Sequence, residues 1–127
     1  LPRPPRLDII LATQNHDSLL YVKRKQKALA SVGAQAQLHA PESEAQAIQL
    51  IERLNADAQA TGILVQHPLP SGWDEGLLAS LIDPRKDVDG MHPLNQAACV
   101  RPGEDSLLPC TPAGIMALLD GHAIALR

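Results

Sequence analysis

Phenylalanine is absent from this chain, and one tyrosine and one tryptophan are its only aromatic residues. A core must therefore be built from Leu, Ile, Val and Ala, which the 45% hydrophobic content allows. The same lack leaves almost nothing on which nucleic-acid bases could stack. Positive charge is not in excess either: 11 Lys and Arg stand against 14 Asp and Glu, a net charge of -3. That balance offers no whole-chain case for nucleic acid or an anionic membrane surface. No apolar run approaches membrane-spanning length. Only two cysteines occur, Cys99 and Cys110, without CxxC or zinc-type spacing. They read as free thiols of a reducing compartment, the cytoplasm or the mitochondrial matrix. No GxSxG, P-loop or GxGxxG is present, and the five histidines are scattered. No secretory signal is visible, although the chain does not open on Met, which leaves a preceding leader open.

What the chain does contain is a regular alternation. Its 127 residues fit one domain. Leu7–Ala12 reads as a strand, and Asn15-His16-Asp17-Ser18 as a turn rich in helix N-cap candidates. A helix is expected from about Leu19 to Val32, closed by Gly33. Gln35–His39 reads as a second strand. Ser43-Glu44 opens a second helix ending near Ala58, with Ala47, Ile48, Ile51 and Leu54 at helical spacing. Ile63-Leu64-Val65 is a short aliphatic strand, and Trp73–Leu81 a shorter helix. Asp87–Asp105 is expected to be a loop, unusually long for a structureless connection. A last helix is expected from Thr111-Pro112 through Leu119. Helices alternating with strands at crossover spacing predict an α/β fold, a parallel sheet with helices on both faces in three layers.

The central stretch is Thr61 to Pro70. The strand within it stops at Gln66, because the prolines that follow cannot donate to a sheet ladder. Gln66 is thus placed at the carboxyl end of a central strand, the edge at which open α/β sheets bind ligands. A strand-end amide that merely caps a neighbouring loop fits the same position. Tyr21 and Lys25 share one helix face, one turn apart, so that a phenol adjoins an amine able to transfer protons. Lys25 equally fits a solvated basic face with Lys23, Arg24 and Lys27. Asp87 and Asp89 flank Val88; in an extended segment both point the same way, fit to bind a metal with His92, to act as acid and base, or to hold a guanidine-like ligand. Asp89-Gly90 is also an ordinary turn dipeptide.

Taken together, four segments carry a resemblance. Tyr21-Val22-Lys23-Arg24-Lys25 resembles a YVxxK motif. Asn55-Ala56-Asp57 followed by Gly62-Ile63-Leu64-Val65-Gln66-His67-Pro68-Leu69-Pro70 resembles an NxD…GILVQLPLP signature. Asp83 to Asn95 resembles a DPxKDVDGFHPxN loop, and Pro109 to Gly114 a PCTPxG segment. In this order and spacing, from about Ile9 to Leu119, the chain resembles bifunctional methylenetetrahydrofolate dehydrogenase / methenyltetrahydrofolate cyclohydrolase.

The resemblance implies that residues 1–127 are a folate-binding catalytic domain. It implies oxidation of 5,10-methylenetetrahydrofolate with NADP and hydrolysis of the methenyl product to 10-formyltetrahydrofolate, in the one-carbon metabolism that serves purine biosynthesis. By the same resemblance Lys25 is the proton-transferring group, Gln66 assists it, Asp89 holds the amino-pyrimidine side of the pterin, and Tyr21 stacks near the folate ring. Val65 and His67 complete the substrate-binding set. It implies no metal, no nucleic acid and no membrane, and a homodimer as the full-length protein. Departures from the pattern are Thr13 for a usual glycine, His67 for a leucine, and Gln96-Ala97-Ala98 where a Gly-Arg pair is usual. They motivate an alternative, a non-catalytic relative that only binds folate; a nucleic-acid or partner-binding module using the basic helix is the third reading. The family's Rossmann NADP domain and its initial helix are not in the chain. The expectation is a fragment with no cofactor-binding residue of its own, not competent alone for hydride transfer.

Overall fold

The computed structural model describes residues 3–13, 15–100 and 107–125. Three parallel strands, β1 (Arg6–Ile10), β2 (Gln35–His39) and β3 (Gly62–Val65), form a sheet in the order β2-β1-β3. Leu7 lies opposite Ala36 and Gly62, and Ile10 opposite His39 and Val65. Beyond β3 the chain returns once more in parallel, where Ile63 bridges Asp87 and its N–H donates to the Lys86 carbonyl at 2.7 Å.

Side chains alternate across the sheet, and each face takes its own helices. Ile9, Leu11 and Leu64 pack with Val22 of α1 (His16–Ser31) on one face. Ile10 and Ile63 face the other way, against Ala47, Leu50, Ile51 and Leu54 of α2 (Glu44–Ala56) and Leu78 of α3 (Glu75–Leu81). The expected three layers are thus present. Burying side chains of this size contributes about 1.5–3 kcal/mol each, so the two aliphatic clusters do what aromatics do in other cores. Of the α3 leucines expected on one side, Leu78 alone is fully buried.

Local chemistry sets the helix ends. The Asn15 side chain accepts from Asp17 N–H, so α1 begins at His16, a turn earlier than expected. Gly33, at φ 75°, closes it. Ser43 and Asp74 cap α2 and α3 in the same way as Asn15 caps α1.

One expectation is overturned. Within Asp87–Asp105 a helix forms, α4 (Pro93–Ala98), its first turn capped by the His92 imidazole, whose Nδ1 accepts from Leu94 N–H at 3.0 Å. A His-Pro pair stands at this start in place of an ordinary Ser, Thr, Asp or Asn cap, which is why the helix is not evident from the sequence. Residues 101–106 of the same expected loop lie outside the described residues. The last helix, α5 (Cys110–Gly121), begins two residues before Pro112.

Beneath the sheet edge, buried Asp8 accepts from Arg6 Nε at 2.8 Å and pairs with His39 Nε2 at 2.8 Å, while Arg6 Nη2 reaches Asp57 at 2.7 Å. A buried carboxylate is tolerable only when paired in this way. The cluster ties β1 to the end of β2 and to the residue that closes α2.

Candidate active site

The carboxyl edge of β3 is where α1 and the loop after α3 meet. Gln66 follows β3 and its N–H donates to the Ile10 carbonyl at 2.9 Å, which extends the sheet by one residue. Its carboxamide is held at both ends. Nε2 donates to the His67 carbonyl at 2.9 Å, which leaves Oε1 to accept from Lys25 Nζ at 2.9 Å. Ser18, buried in the first part of α1, donates to the same His67 carbonyl at 3.3 Å. The His67–Pro68 peptide is cis.

Ser18, Val22 and Lys25 fall on one face of α1, the face turned toward the sheet. Lys23, Arg24 and Lys27 are exposed, whereas Lys25 is half-buried. The solvated-face alternative therefore fits the three neighbours and not Lys25. Tyr21 sits one turn before Lys25 and is 56% exposed.

The second wall is the loop from Asp83 to Asn95, and its carboxylates separate into two kinds. Asp87 is 3% exposed. Its Oδ1 accepts from the N–H groups of Asp89 (3.3 Å) and Gly90 (3.0 Å), and its Oδ2 from His92 N–H (2.8 Å) and Asn95 Nδ2 (2.8 Å). Burial pushes this carboxyl up, but hydrogen bonds from Asn95 and the turn's N–H groups outweigh burial and hold it below the ordinary carboxylate range. Asp89 is half-buried and lines a crevice with Val65, His67, Glu75, Asp87 and Met91. The extended segment expected at Asp87–Asp89 is not formed: the chain bends there, with Gly90 at φ 73°. The two aspartates therefore differ: the oxygens of Asp87 are taken up by the loop's own donors, although both residues line the crevice. His92 is not poised for a metal, since it caps α4 through Nδ1 and reaches the Ser80 carbonyl at 3.1 Å through Nε2. No three metal-ligating side chains converge among the described residues.

The loop is anchored from below by residues that sequence reasoning noted only as pattern. Lys86 Nζ donates to the carbonyls of Leu54, Asn55 and Asp57 at 2.7–2.8 Å, closing the end of α2. Asn55 receives Asp83 N–H at 2.8 Å and donates to the Leu81 carbonyl at 2.7 Å. Gly62 is needed because a Cβ there would overlap the Val88 side chain. A Cβ on Gly90 would come within 2.7 Å of Pro109 Cα, so the start of α5 rests on this turn. There Cys110 Sγ meets the Val88 carbonyl at 3.1 Å. Burial and the charges of Asp89 and Asp87 push the Cys110 thiol up, and Lys25 counters them.

The crevice is a feature of one wall and not a complete pocket. It measures about 20 Å³, against roughly 300–1,000 Å³ for a site that encloses a drug-sized ligand. A wider hollow of about 500 Å³, between Arg6, Gln26 and Gln35–Gln37, holds none of the predicted residues. His67 Nδ1 stands 3.7 Å from Glu75 Oε1 at the rim.

A parallel α/β domain with a half-buried lysine on a locked carboxamide at the carboxyl edge of β3 has the architecture in which open α/β sheets place their ligand sites. The chain belongs to the family described as tetrahydrofolate dehydrogenase/cyclohydrolase, catalytic domain, whose pattern it matches over residues 2–89. It is 45% identical to the bifunctional protein FolD of Prochlorococcus marinus, over 98% of this chain and 42% of that protein. The FolD methylenetetrahydrofolate dehydrogenase/cyclohydrolase structure from Campylobacter jejuni superposes with a TM-score of 0.90 at 36% identity, over 97% of this chain and 45% of that one. The dehydrogenase-cyclohydrolase of Trypanosoma brucei, solved with NADP and an inhibitor, superposes with a TM-score of 0.88 at 30% identity, over 95% of this chain and 42% of that one. The chain spans less than half the length of the curated relatives it matches.

Proposed function

We propose that residues 1–127 supply the folate-binding catalytic domain of an enzyme that oxidises 5,10-methylenetetrahydrofolate with NADP and hydrolyses the resulting methenyl compound to 10-formyltetrahydrofolate. The observation that carries this reading is the 2.9 Å contact between Lys25 Nζ and Gln66 Oε1, with the amide's other end fixed on the His67 carbonyl. In the hydrolytic half, water adds to the cationic amidine carbon, the bond from that carbon to one ring nitrogen breaks, and one proton is released overall. Lys25 is the group that takes and returns protons, Gln66 orients it, and Asp89 holds the pterin's donor edge. Tyr21, Val65 and His67 line the folate's path. Lysine suits the task because it can lose its proton, which arginine does not.

NADP is assigned no residue in this chain. The sequence contains no G-x-G-x-x-G, and among the described residues none of the three strands is followed by the glycine-rich turn that cradles a pyrophosphate. The same proposal covers a homodimeric enzyme of the cytoplasm or mitochondrial matrix; light scattering of the purified protein tests the dimer.

The test of the chemistry is Lys25→Met, which keeps the apolar stem and removes the exchangeable proton. Hydrolysis of methenyltetrahydrofolate, followed by absorbance above the buffer background, should fall about 10²–10⁴-fold, the usual worth of general acid–base help. Lys23→Met, on the exposed face, should leave it largely intact. A folded Lys25→Met protein with parental hydrolysis removes Lys25 from the mechanism. Folate binding without any hydrolysis by the parent protein points instead to a non-catalytic binder.

A further inference from the structure

The carboxylate that organises the second wall is not the one assigned to the ligand. Asp87 is buried among its own loop, and its oxygens are occupied by donors from Asp89, Gly90, His92 and Asn95. One of these donors is the backbone N–H of Asp89 itself. Asp87 Oδ1 therefore sets where the Asp89 backbone sits, and Oδ2 holds the first residues of the following segment in place. Gly90 makes the turn possible, since its φ of 73° is a conformation that side chains resist. Asn95 doubles the constraint, because its Nδ2 also donates to the Pro84 carbonyl at 3.0 Å and so closes the loop on its own beginning. The adjoining Lys86 and Asn55 fasten that closed loop to the ends of α2 and α3.

We propose that Asp87 is a positioning residue: its carboxylate is the template that folds the loop and sets Asp89 in the crevice it shares with Val65 and His67. Asp87 touches no ligand in this scheme and acts through Asp89. The inference rests on the folate reading for the identity of the ligand, and on the geometry of this loop for the role. The reason a charge is needed is the donor set. Four N–H groups converge on one carboxylate, and hydrogen bonds to an ionised acceptor are roughly twice as strong as neutral ones. An asparagine has the same shape but offers an NH₂ where an acceptor oxygen is required.

The experiment is calorimetric binding of tetrahydrofolate to the protein and to Asp87→Asn, Asp89→Asn and the double variant, with melting curves for each. Asp87→Asn is expected to weaken binding about tenfold in the parent background. In the Asp89→Asn background the same change should cost little, because residues that act as a unit are not additive. Asn95→Ala, which removes a single donor, serves if Asp87→Asn does not fold, and should show the same dependence on Asp89 in smaller measure. Equal losses in both backgrounds, or no loss with a folded variant, overturn the positioning role while the folate reading stands. A parent protein that binds no tetrahydrofolate overturns the folate reading instead. The positioning role is then decided by amide hydrogen exchange at Asp89, Gly90 and His92 in the unliganded protein, which Asp87→Asn should accelerate; unchanged exchange overturns it.

Discussion

Lys25 Nζ and Gln66 Oε1 lie 2.9 Å apart although 41 positions separate the two residues in the chain. The contact joins a helix on one face of the sheet to the carboxyl end of β3, the strand that flanks central β1. It depends on the amide being unable to flip, because its NH₂ end is spent on the His67 carbonyl. A flipped amide would set donor against donor.

Gln66→Leu should therefore lower methenyltetrahydrofolate hydrolysis by about 10²-fold, in the range of lost acid–base assistance. The packing change is small, and circular dichroism should stay parental. If the leucine variant hydrolyses normally, the lysine needs no amide partner.

Gly62→Ala forces a methyl into the space of Val88 Cγ1. Overpacking of this kind costs about 1–3 kcal/mol. Urea unfolding should show the loss, and adding Val88→Ala should restore much of it. Two independent, additive losses are the outcome that rejects a Gly62–Val88 clash.

Lys86→Met keeps the stem but leaves the carbonyls of Leu54, Asn55 and Asp57 without their shared donor. Hydrogen bonds to charged groups are worth about 1.5–3 kcal/mol, and a destabilisation of that size is expected in denaturant melts. Activity measured well below the melting temperature should suffer as well, because Lys86 anchors the loop that carries Asp89. An unaltered melt would show that water replaces the ammonium without cost.

Acid should loosen the same loop. The folded Asp87 carboxyl lies below its ordinary value, against the burial that alone would raise it. Asp57 is also lowered, by Gln59 N–H and then Arg6, and Asp83 falls to about 2, held first by the Arg85 side chain. A depressed carboxyl contributes stability that is complete above its unfolded value of about 3.9 and is lost as pH drops through the folded value. Melting temperature should hold between pH 7 and 5 and decline below about pH 4. Asp87→Asn should flatten that decline. A decline of the same steepness in the variant would assign the acid sensitivity elsewhere.

Much of this arrangement was legible in the linear chain. Alternating runs such as Leu7–Ala12 and Ile63-Leu64-Val65, separated by periodic segments, fix a parallel α/β order. That is because a strand buried on both faces must be apolar throughout and a crossover helix must be amphipathic. Two prolines after Gln66 end its strand and so place that amide at the ligand-binding edge. The spacing of Tyr21 and Lys25 puts them one turn apart on a helix. These are local properties, set by dihedral preference, hydrogen-bond supply and side-chain period.

Tertiary structure alone decided which of several equivalent residues does which task. Lys23, Lys25 and Lys27 are alike in sequence, and the rotation of α1 against Ile9 and Leu64 turns one of them inward. Asp87 and Asp89 are alike in a period-two reading, and the glycine turn with its converging N–H groups buries one and leaves the other at the crevice. Lys86 gave no signal of its role, because the carbonyls it closes lie about thirty positions earlier in the chain. Sequence pattern records what each residue prefers of its immediate neighbours. Burial of a charge and the direction of a donor are set by groups distant in the chain, which only the packed fold brings within reach.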